Sequence, residues 1–157
     1  MKFHFAVFSL ISIGLAVSAW GADPLVGTWK VIPEKSKNST GQPRPKEEVI
    51  NIEEQGANLL STIKGTSATG KAYSDQFTLP KGGGHVTYIT TAPSTHWGEI
   101  KRLDEHTMDA TMVRDGKVVG TVHATISPDG KTFTLVGKGT DPQGRSIEYI
   151  EVQERQE

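Results

Sequence analysis

The sequence contains no cysteine and few aromatic residues, which make up 7% of its 157 residues. Without cysteine it can form no disulfide, no cysteine-based zinc site, no thiol nucleophile and no lipid anchor on an N-terminal cysteine. Neither sign of charge is in excess, with 17 Lys and Arg residues against 18 Asp and Glu residues. The chain therefore lacks the basic excess that a phosphate backbone requires, and we expect no nucleic-acid partner.

Long hydrophobic runs are also scarce, and the one clear case, Phe5–Val17, lies near the N-terminus. Lys2 precedes it and small residues follow it, a pattern typical of a cleaved secretory signal. The run is shorter than the about 20 apolar residues of a membrane span. We predict a signal peptide over residues 1–22 and one soluble domain over residues 23–157, secreted or periplasmic, with no membrane span. An uncleaved anchor is the alternative.

After the signal, short apolar stretches alternate with turn residues, and no helical periodicity interrupts them. Asp115-Gly116 and Asp129-Gly130 are strong hairpin signals, because tight antiparallel turns need the positive φ angles that this dipeptide adopts readily. Residues 33–46, rich in proline and polar side chains, predict one long surface loop with no lid helix. The pattern predicts strands at 25–32, 49–55, 59–63, 72–79, 85–91, 96–103, 107–113, 118–126, 132–136 and 146–152.

Short turns allow only antiparallel neighbours, so this series of strands must either expose two edges or close on itself. Closure removes both edges. We predict an all-β fold, namely an antiparallel up-and-down β-barrel of about 8–10 strands. A flattened β-sandwich is the alternative.

Several motifs occur in one order along nearly all of residues 23–157. Together they resemble a family of small bacterial exported lipocalin-like proteins, within the calycin superfamily of lipocalins and fatty-acid-binding proteins. The motifs are Gly27-Thr28-Trp29-Lys30, Lys35-Ser36-Lys37, Ser127-Pro128-Asp129-Gly130-Lys131, Lys138-Gly139-Thr140-Asp141-Pro142-Gln143-Gly144 and Glu154-Arg155.

The resemblance implies a structural role for Gly27, Trp29 and Arg155. In calycins a basic residue near the end of the last strand lies over the Trp of the first strand and closes the base of the barrel. A cation over an indole face contributes about 0.5–2 kcal/mol. A ligand cavity is then expected at the opposite end, where a small apolar molecule would be the partner.

Aromatic residues on the predicted strands are the candidate lining of such a cavity, because ligand sites are mostly apolar with a few polar groups. His96 or Arg102 would supply a polar anchor. The alternative is that the aromatic rings fill the core. A cavity above about 300 Å³ favours binding, and a filled interior excludes it. The aromatic candidates are Tyr73, Phe77, Tyr88, Trp97, Phe133 and Tyr149.

We predict no catalytic residue, metal site or cofactor, and we expect a monomer. No two of the histidines have the spacing of a local metal motif, although His85, His96 and His123 could converge across a barrel. The paired glutamates Glu47-Glu48 and Glu53-Glu54 point to opposite faces of a strand and cannot act as an acid–base couple. A barrel enzyme of isomerase or cyclase type and a structural envelope protein remain the alternatives to a binding protein.

Overall fold

The computed structural model describes residues 21–41 and 44–157, so most of the predicted signal peptide lies outside the described residues. No helix in those ranges is long and apolar enough to cross a membrane. A single 3-10 turn, Pro33–Lys35, accompanies the strands there. The strands are β1 (Gly27–Val31), β2 (Lys37–Asn38), β3 (Glu47–Gln55), β4 (Asn58–Thr66), β5 (Ala72–Pro80), β6 (Gly84–His85), β7 (Thr87–Tyr88), β8 (Thr95–Arg102), β9 (Thr107–Arg114), β10 (Lys117–Ile126), β11 (Thr132–Thr140) and β12 (Ser146–Arg155).

The strands form one antiparallel sheet in which most neighbours in space are also neighbours in sequence. The order is β6-β8-β9-β10-β11-β12-β1-β3-β4-β5-β7. The first and last long strands meet: Trp29 on β1 pairs with Arg155 on β12 and, on its other side, with Ile50 on β3. This up-and-down arrangement is the predicted one.

The two ends of the sheet are joined by five consecutive residues, which makes the barrel nearly closed. His85 on β6 pairs with Glu99 on β8, whereas Tyr88 on β7 pairs with Phe77 on β5. Between them, the Val86 N–H donates to the Gly98 carbonyl over 2.8 Å. The predicted continuous strand over 85–91 is therefore wrong, because the chain changes its partner from β8 to β5 after Val86.

Side chains alternate between interior and solvent as the sequence pattern indicates. Met108, Ala110 and Met112 on β9 are buried, and so are Val122 and Ala124 on β10. Burial of such side chains stabilises the barrel by about 1.5–3 kcal/mol for each large aliphatic group. The hairpin between these strands turns at Asp115-Gly116, whose φ angles of 50° and 72° are the positive values that the dipeptide predicts.

Strand β8 contains a β-bulge that changes which residues face inward. Trp97 pairs with Met112 and Ile100 pairs with Ala110, so three steps on β8 match two on β9. The alternation in the sequence places Trp97 and Ile100 on opposite faces. That expectation is wrong, because the extra residue of the bulge turns both side chains toward the interior while Glu99 stays exposed.

The predicted loop over residues 33–46 is partly structured. After the 3-10 turn, β2 adds to β12, with Asn38 opposite Tyr149. Ser36 holds the junction, since its hydroxyl donates to the Ile32 carbonyl over 2.8 Å and accepts from the Val152 N–H over 2.9 Å. The prediction of a single irregular loop is therefore wrong for the first part of this segment, because its backbone forms hydrogen bonds with β12.

Candidate functional site

The closed end of the barrel is built around Trp29. Its indole is fully buried, and its N–H donates to the Leu25 carbonyl over 2.9 Å. The Arg155 guanidinium carbon lies 4.2 Å from the centre of the ring, at the position that the resemblance implies. Gly27 has a φ of +139°, and a Cβ there would collide with the Arg155 Nη1. The glycine, the tryptophan and the arginine of the sequence pattern thus belong to one contact.

Arg102 also lies at this closed end and not in the cavity described below. Its Nη2 donates to both carboxylate oxygens of Asp23, over 3.2 and 3.1 Å, and to the Glu105 carbonyl. The side chains of Arg102 and Asp23 are 13% and 11% exposed. Arg102 therefore lies outside the cavity and is not in the position of the ligand anchor that we expected. Its charge is already paired with the nearly buried Asp23 carboxylate, and this pair tethers the segment before β1.

A cavity of about 230 Å³ occupies the barrel interior. The interior is therefore not filled, although the volume falls below the about 300 Å³ typical of drug-sized pockets. Five of the aromatic candidates and His96 contribute to its wall. The lining residues are Leu25, Glu48, Ile50, Ile52, Ser61, Ile63, Phe77, Leu79, Tyr88, Pro93, Thr95, His96, Trp97, Met108, Phe133, Leu135, Tyr149, Glu151 and Gln153.

One side of the cavity is a cluster of rings from β5, β7 and β8. The centre of the Phe77 ring lies 5.2 Å from that of Tyr88 and 6.4 Å from that of Trp97. The imidazole of His96 meets Tyr88 edge-on at 5.4 Å. The Tyr88 hydroxyl accepts a hydrogen bond from the Trp97 backbone N–H over 3.1 Å, which holds the Tyr88 ring beside the β8 bulge. These aromatic pairs give the wall a defined shape.

Two tyrosines near the open end lie against glycines on the neighbouring strand. Tyr149 on β12 packs over Gly137 on β11, and Tyr73 on β5 packs over Gly65 on β4. A Cβ on either glycine would overlap the facing ring. Tyr149 lines the cavity, whereas Tyr73 does not, and its hydroxyl instead donates to Glu48, which does.

Two glutamates and a glutamine on the cavity wall were missed in the sequence. Glu48 shares a face of β3 with Ile50 and Ile52, and Glu151 shares a face of β12 with Gln153. Two adjacent glutamates, Glu47 and Glu48, are typical of a solvent-exposed strand end. This pair therefore did not indicate that Glu48 points inward. The spacing of two between Glu48 and Ile50 was the available indication.

Burial governs the protonation of these groups. It raises the pKa of Glu151, and the hydrogen bond from Gln153 and the charge of Arg44 oppose it only in part. Burial also raises the pKa of Glu48, against the hydrogen bond from Tyr73. For Tyr149, burial and then the charge of Glu151 raise the pKa to about 12. Carboxylates in this position lack the hydration that stabilises their charge in water.

The histidines do not converge on a metal. Within residues 21–41 and 44–157, no three His, Asp or Glu side chains are placed to hold an ion. His123 Nδ1 lies 2.7 Å from Asp109, but both side chains are about half exposed on the outer face. His96 Nδ1 lies 2.9 Å from the Pro93 carbonyl at the cavity rim. An inward histidine–carboxylate pair, which would favour the enzyme alternative, is not found in this part of the chain.

The nearly closed antiparallel barrel, with its Gly-x-Trp strand and the covering arginine, has the lipocalin-like fold that the resemblance in the sequence implies. No protein-family model and no curated protein matches the sequence. Two solved structures are similar at 12% identity each. Lobster apocrustacyanin A1 has a TM-score of 0.47, with 86% of this chain and 62% of that chain covered. The siderocalin Ex-FABP has a TM-score of 0.37, with 85% and 71% covered. This chain thus spans less than two thirds of the apocrustacyanin chain.

Proposed function

We propose that the protein is an exported binding protein that holds one small, largely apolar molecule inside the barrel. The observation that carries the proposal is the aromatic-walled cavity of about 230 Å³. Export is proposed from the N-terminal pattern of Lys2 and the apolar run Phe5–Val17.

The volume limits the size of the ligand. A dry apolar cavity of about 150 Å³ accommodates benzene, so this cavity suits a molecule of about ten non-hydrogen atoms. An aromatic ring with a short substituent fits that size. Phe77, Tyr88 and Trp97 offer ring faces and edges against which it would pack.

Phenethyl alcohol is a suitable neutral probe of this proposal. We expect it to bind the full chain with a dissociation constant of about 1 mM or below, which corresponds to about 4 kcal/mol. NMR titration should shift the resonances of Phe77, Tyr88 and Trp97. Native mass spectrometry of the protein purified from its own source would show whether a molecule of this size stays bound.

Two neighbouring residues on β11 provide a matched pair of variants. Leu135 lines the cavity, whereas Val136 is 37% exposed on the outer face. Leu135→Trp should fill the cavity and abolish binding of the probe, and Val136→Trp should leave binding unchanged. The proposal fails if the wild-type protein does not bind, or if both variants bind equally well.

A further inference from the structure

Three polar side chains of the cavity, those of Glu48, Glu151 and Gln153, come from two strands that flank β1. Gln153 on β12 pairs with Val31 of β1, and Glu48 precedes Val49, which pairs with Lys30 of β1. Glu151 lies two residues before Gln153 on the same face of β12. Adjacent strands are about 4.8 Å apart, so β3 and β12 lie about 10 Å apart on either side of β1, and their inward side chains border the same cavity.

The hydrogen-bonding capacity of this group is dominated by acceptors. Glu48 accepts from the Tyr73 hydroxyl, and Glu151 accepts from the Gln153 Nε2 over 2.7 Å. The Gln153 Oε1 is buried without any partner, in a residue that is only 4% exposed. A buried acceptor without a donor costs about 1–3 kcal/mol, so the site favours a ligand that supplies one.

The surrounding charges leave the site acidic. Asp75, on the same face of β5 as Tyr73, raises the pKa of Glu48 through its negative charge, as does Glu151. Arg44 is the cation that acts on Glu151. In the described ranges, neither Glu48 nor Glu151 has a Lys or Arg nitrogen within ion-pair distance. Three carboxyl groups thus face one arginine that lies outside direct contact.

We propose that Glu48, Glu151 and the free Gln153 Oε1 bind the protonated amino group of a small aromatic amine. The inference deepens the proposed function, on which it rests, by naming the ligand's head group. An ammonium group carries three donors and no acceptor, which matches this set of acceptors. Its positive charge offsets the like charges of the two glutamates.

The body of the ligand then lies against the aromatic wall. Glu48, Glu151 and Gln153 line the same cavity as Phe77, Tyr88 and Trp97, so a ring joined to an amine by a short chain spans both parts. A carboxylate head group would bring a further negative charge and no donor to these acceptors. A hydroxyl group would supply one donor but no charge. The site therefore ranks amine above alcohol above carboxylate.

The raised pKa values of the two glutamates agree with this ranking. Burial raises both pKa values in the empty cavity, and a bound cation would lower them by stabilising the ionised carboxylates. The same burial makes the charge–charge attraction less sensitive to salt than at an exposed site.

The test compares three probes of similar size on the full chain by isothermal titration calorimetry. Phenethylamine is the cation, phenethyl alcohol the neutral compound, and phenylacetate the anion. Hydrogen bonds to charged groups contribute more than neutral ones, so we expect phenethylamine to bind about tenfold or more tightly than the alcohol. Phenylacetate should bind more weakly than the alcohol.

Substitutions separate the head-group contact from the cavity. Glu151→Gln and Glu48→Gln should each weaken phenethylamine binding by about tenfold and so remove most of its preference over the alcohol. Glu53→Gln, an exposed carboxylate on β3, is the control and should change neither. Thermal unfolding of each variant verifies that it folds.

The outcomes distinguish this inference from the proposed function. Equal or weaker binding of the amine than of the alcohol overturns the amine site and leaves the binding function standing. Amine binding that survives both glutamine substitutions also overturns it. If none of the three probes binds, both proposals fail.

Discussion

The guanidinium of Arg155 covers the indole of Trp29 and at the same time ties down the chain before β1. Its Nη1 and Nη2 donate to the Val26 and Pro24 carbonyls and its Nε donates to the Gly130 carbonyl, each over 2.6 Å. Three of the five N–H donors of the guanidinium form these bonds in a fixed fork, a geometry that a lysine cannot reproduce. One side chain thus joins the first strand, the last strand and the turn before β11.

Trp29→Ala should lower the free energy of unfolding by about 3–5 kcal/mol, because a large buried ring is lost. Arg155→Lys should cost about 1.5–3 kcal/mol through its lost charged hydrogen bonds. Urea unfolding followed by circular dichroism measures both. Neither residue lines the cavity, so the affinity of Arg155→Lys for phenethyl alcohol should stay unchanged. A folded Trp29→Ala protein that no longer binds the probe would contradict this separation.

Arg102→Met should destabilise the protein by about 3 kcal/mol, since it leaves the nearly buried Asp23 carboxylate without its cation. Ligand affinity should be unaffected, in contrast to the role expected from the sequence. Lys138→Met is the control, because the Lys138–Glu148 pair is 69% and 67% exposed and should contribute less than about 1 kcal/mol. Chemical denaturation compares the two. A loss of probe binding in Arg102→Met with normal stability would restore Arg102 as an anchor.

Gly137→Ala should lower stability by about 1–3 kcal/mol, because the new methyl group meets the Tyr149 ring and forces it to move. The displaced ring would also narrow the cavity, so probe affinity should fall. Gly82→Ala is the matched control: its Cβ would have no neighbour within 4 Å, and the change should be nearly neutral. Thermal unfolding and NMR titration report the two effects. An unperturbed Gly137→Ala protein would show that Tyr149 is not held against this glycine.

Glu151→Gln should stabilise the ligand-free protein at neutral pH. Burial raises the pKa of Glu151 above 4.5 in the folded state, so the folded protein binds this proton more tightly than the unfolded chain does. The free energy of unfolding contributed by Glu151 is therefore highest below 4.5 and falls as the pH rises through the folded-state pKa. The stability difference between variant and wild type should grow over that same interval.

The pH series for this comparison should stay above pH 3.8. Below that value the contribution of Asp129 to the free energy of unfolding falls as the pH falls, whereas the contribution of Glu151 rises. The Ser127 hydroxyl holds the pKa of Asp129 low, so its contribution to stability is lost only in strong acid. Glu53→Gln, which removes an exposed carboxylate on the outer face of β3, is the control for the loss of one negative charge. A wild-type protein that is more stable than Glu151→Gln at neutral pH would disprove the assignment.

Much of the fold follows from local chemistry in the sequence. Asp115-Gly116 predicts its hairpin because the required positive φ angles are a property of those two residues. Alternation predicts the inward face of β9 and of β10, since a strand places successive side chains on opposite faces. The series of short turns predicts an antiparallel barrel, because short turns can join only antiparallel neighbours.

The alternation fails where the backbone departs from a regular strand. The β8 bulge puts Trp97 and Ile100 on one side, and the partner change at Val86 breaks a predicted strand in two. Both features depend on pairing with strands distant in sequence. Neighbouring residues alone carry no information on such register shifts.

Taken by itself, the sequence determined most of the long strands, their hairpins and the barrel, because these depend on propensity and periodicity. The tertiary structure decided which polar groups share the interior. It pairs Arg102 with Asp23 at the closed end and brings Glu48 from β3 beside Glu151 and Gln153 from β12. These residues are far apart in the chain, and only closure of the barrel across β1 removes their charges from water and gives them a common cavity.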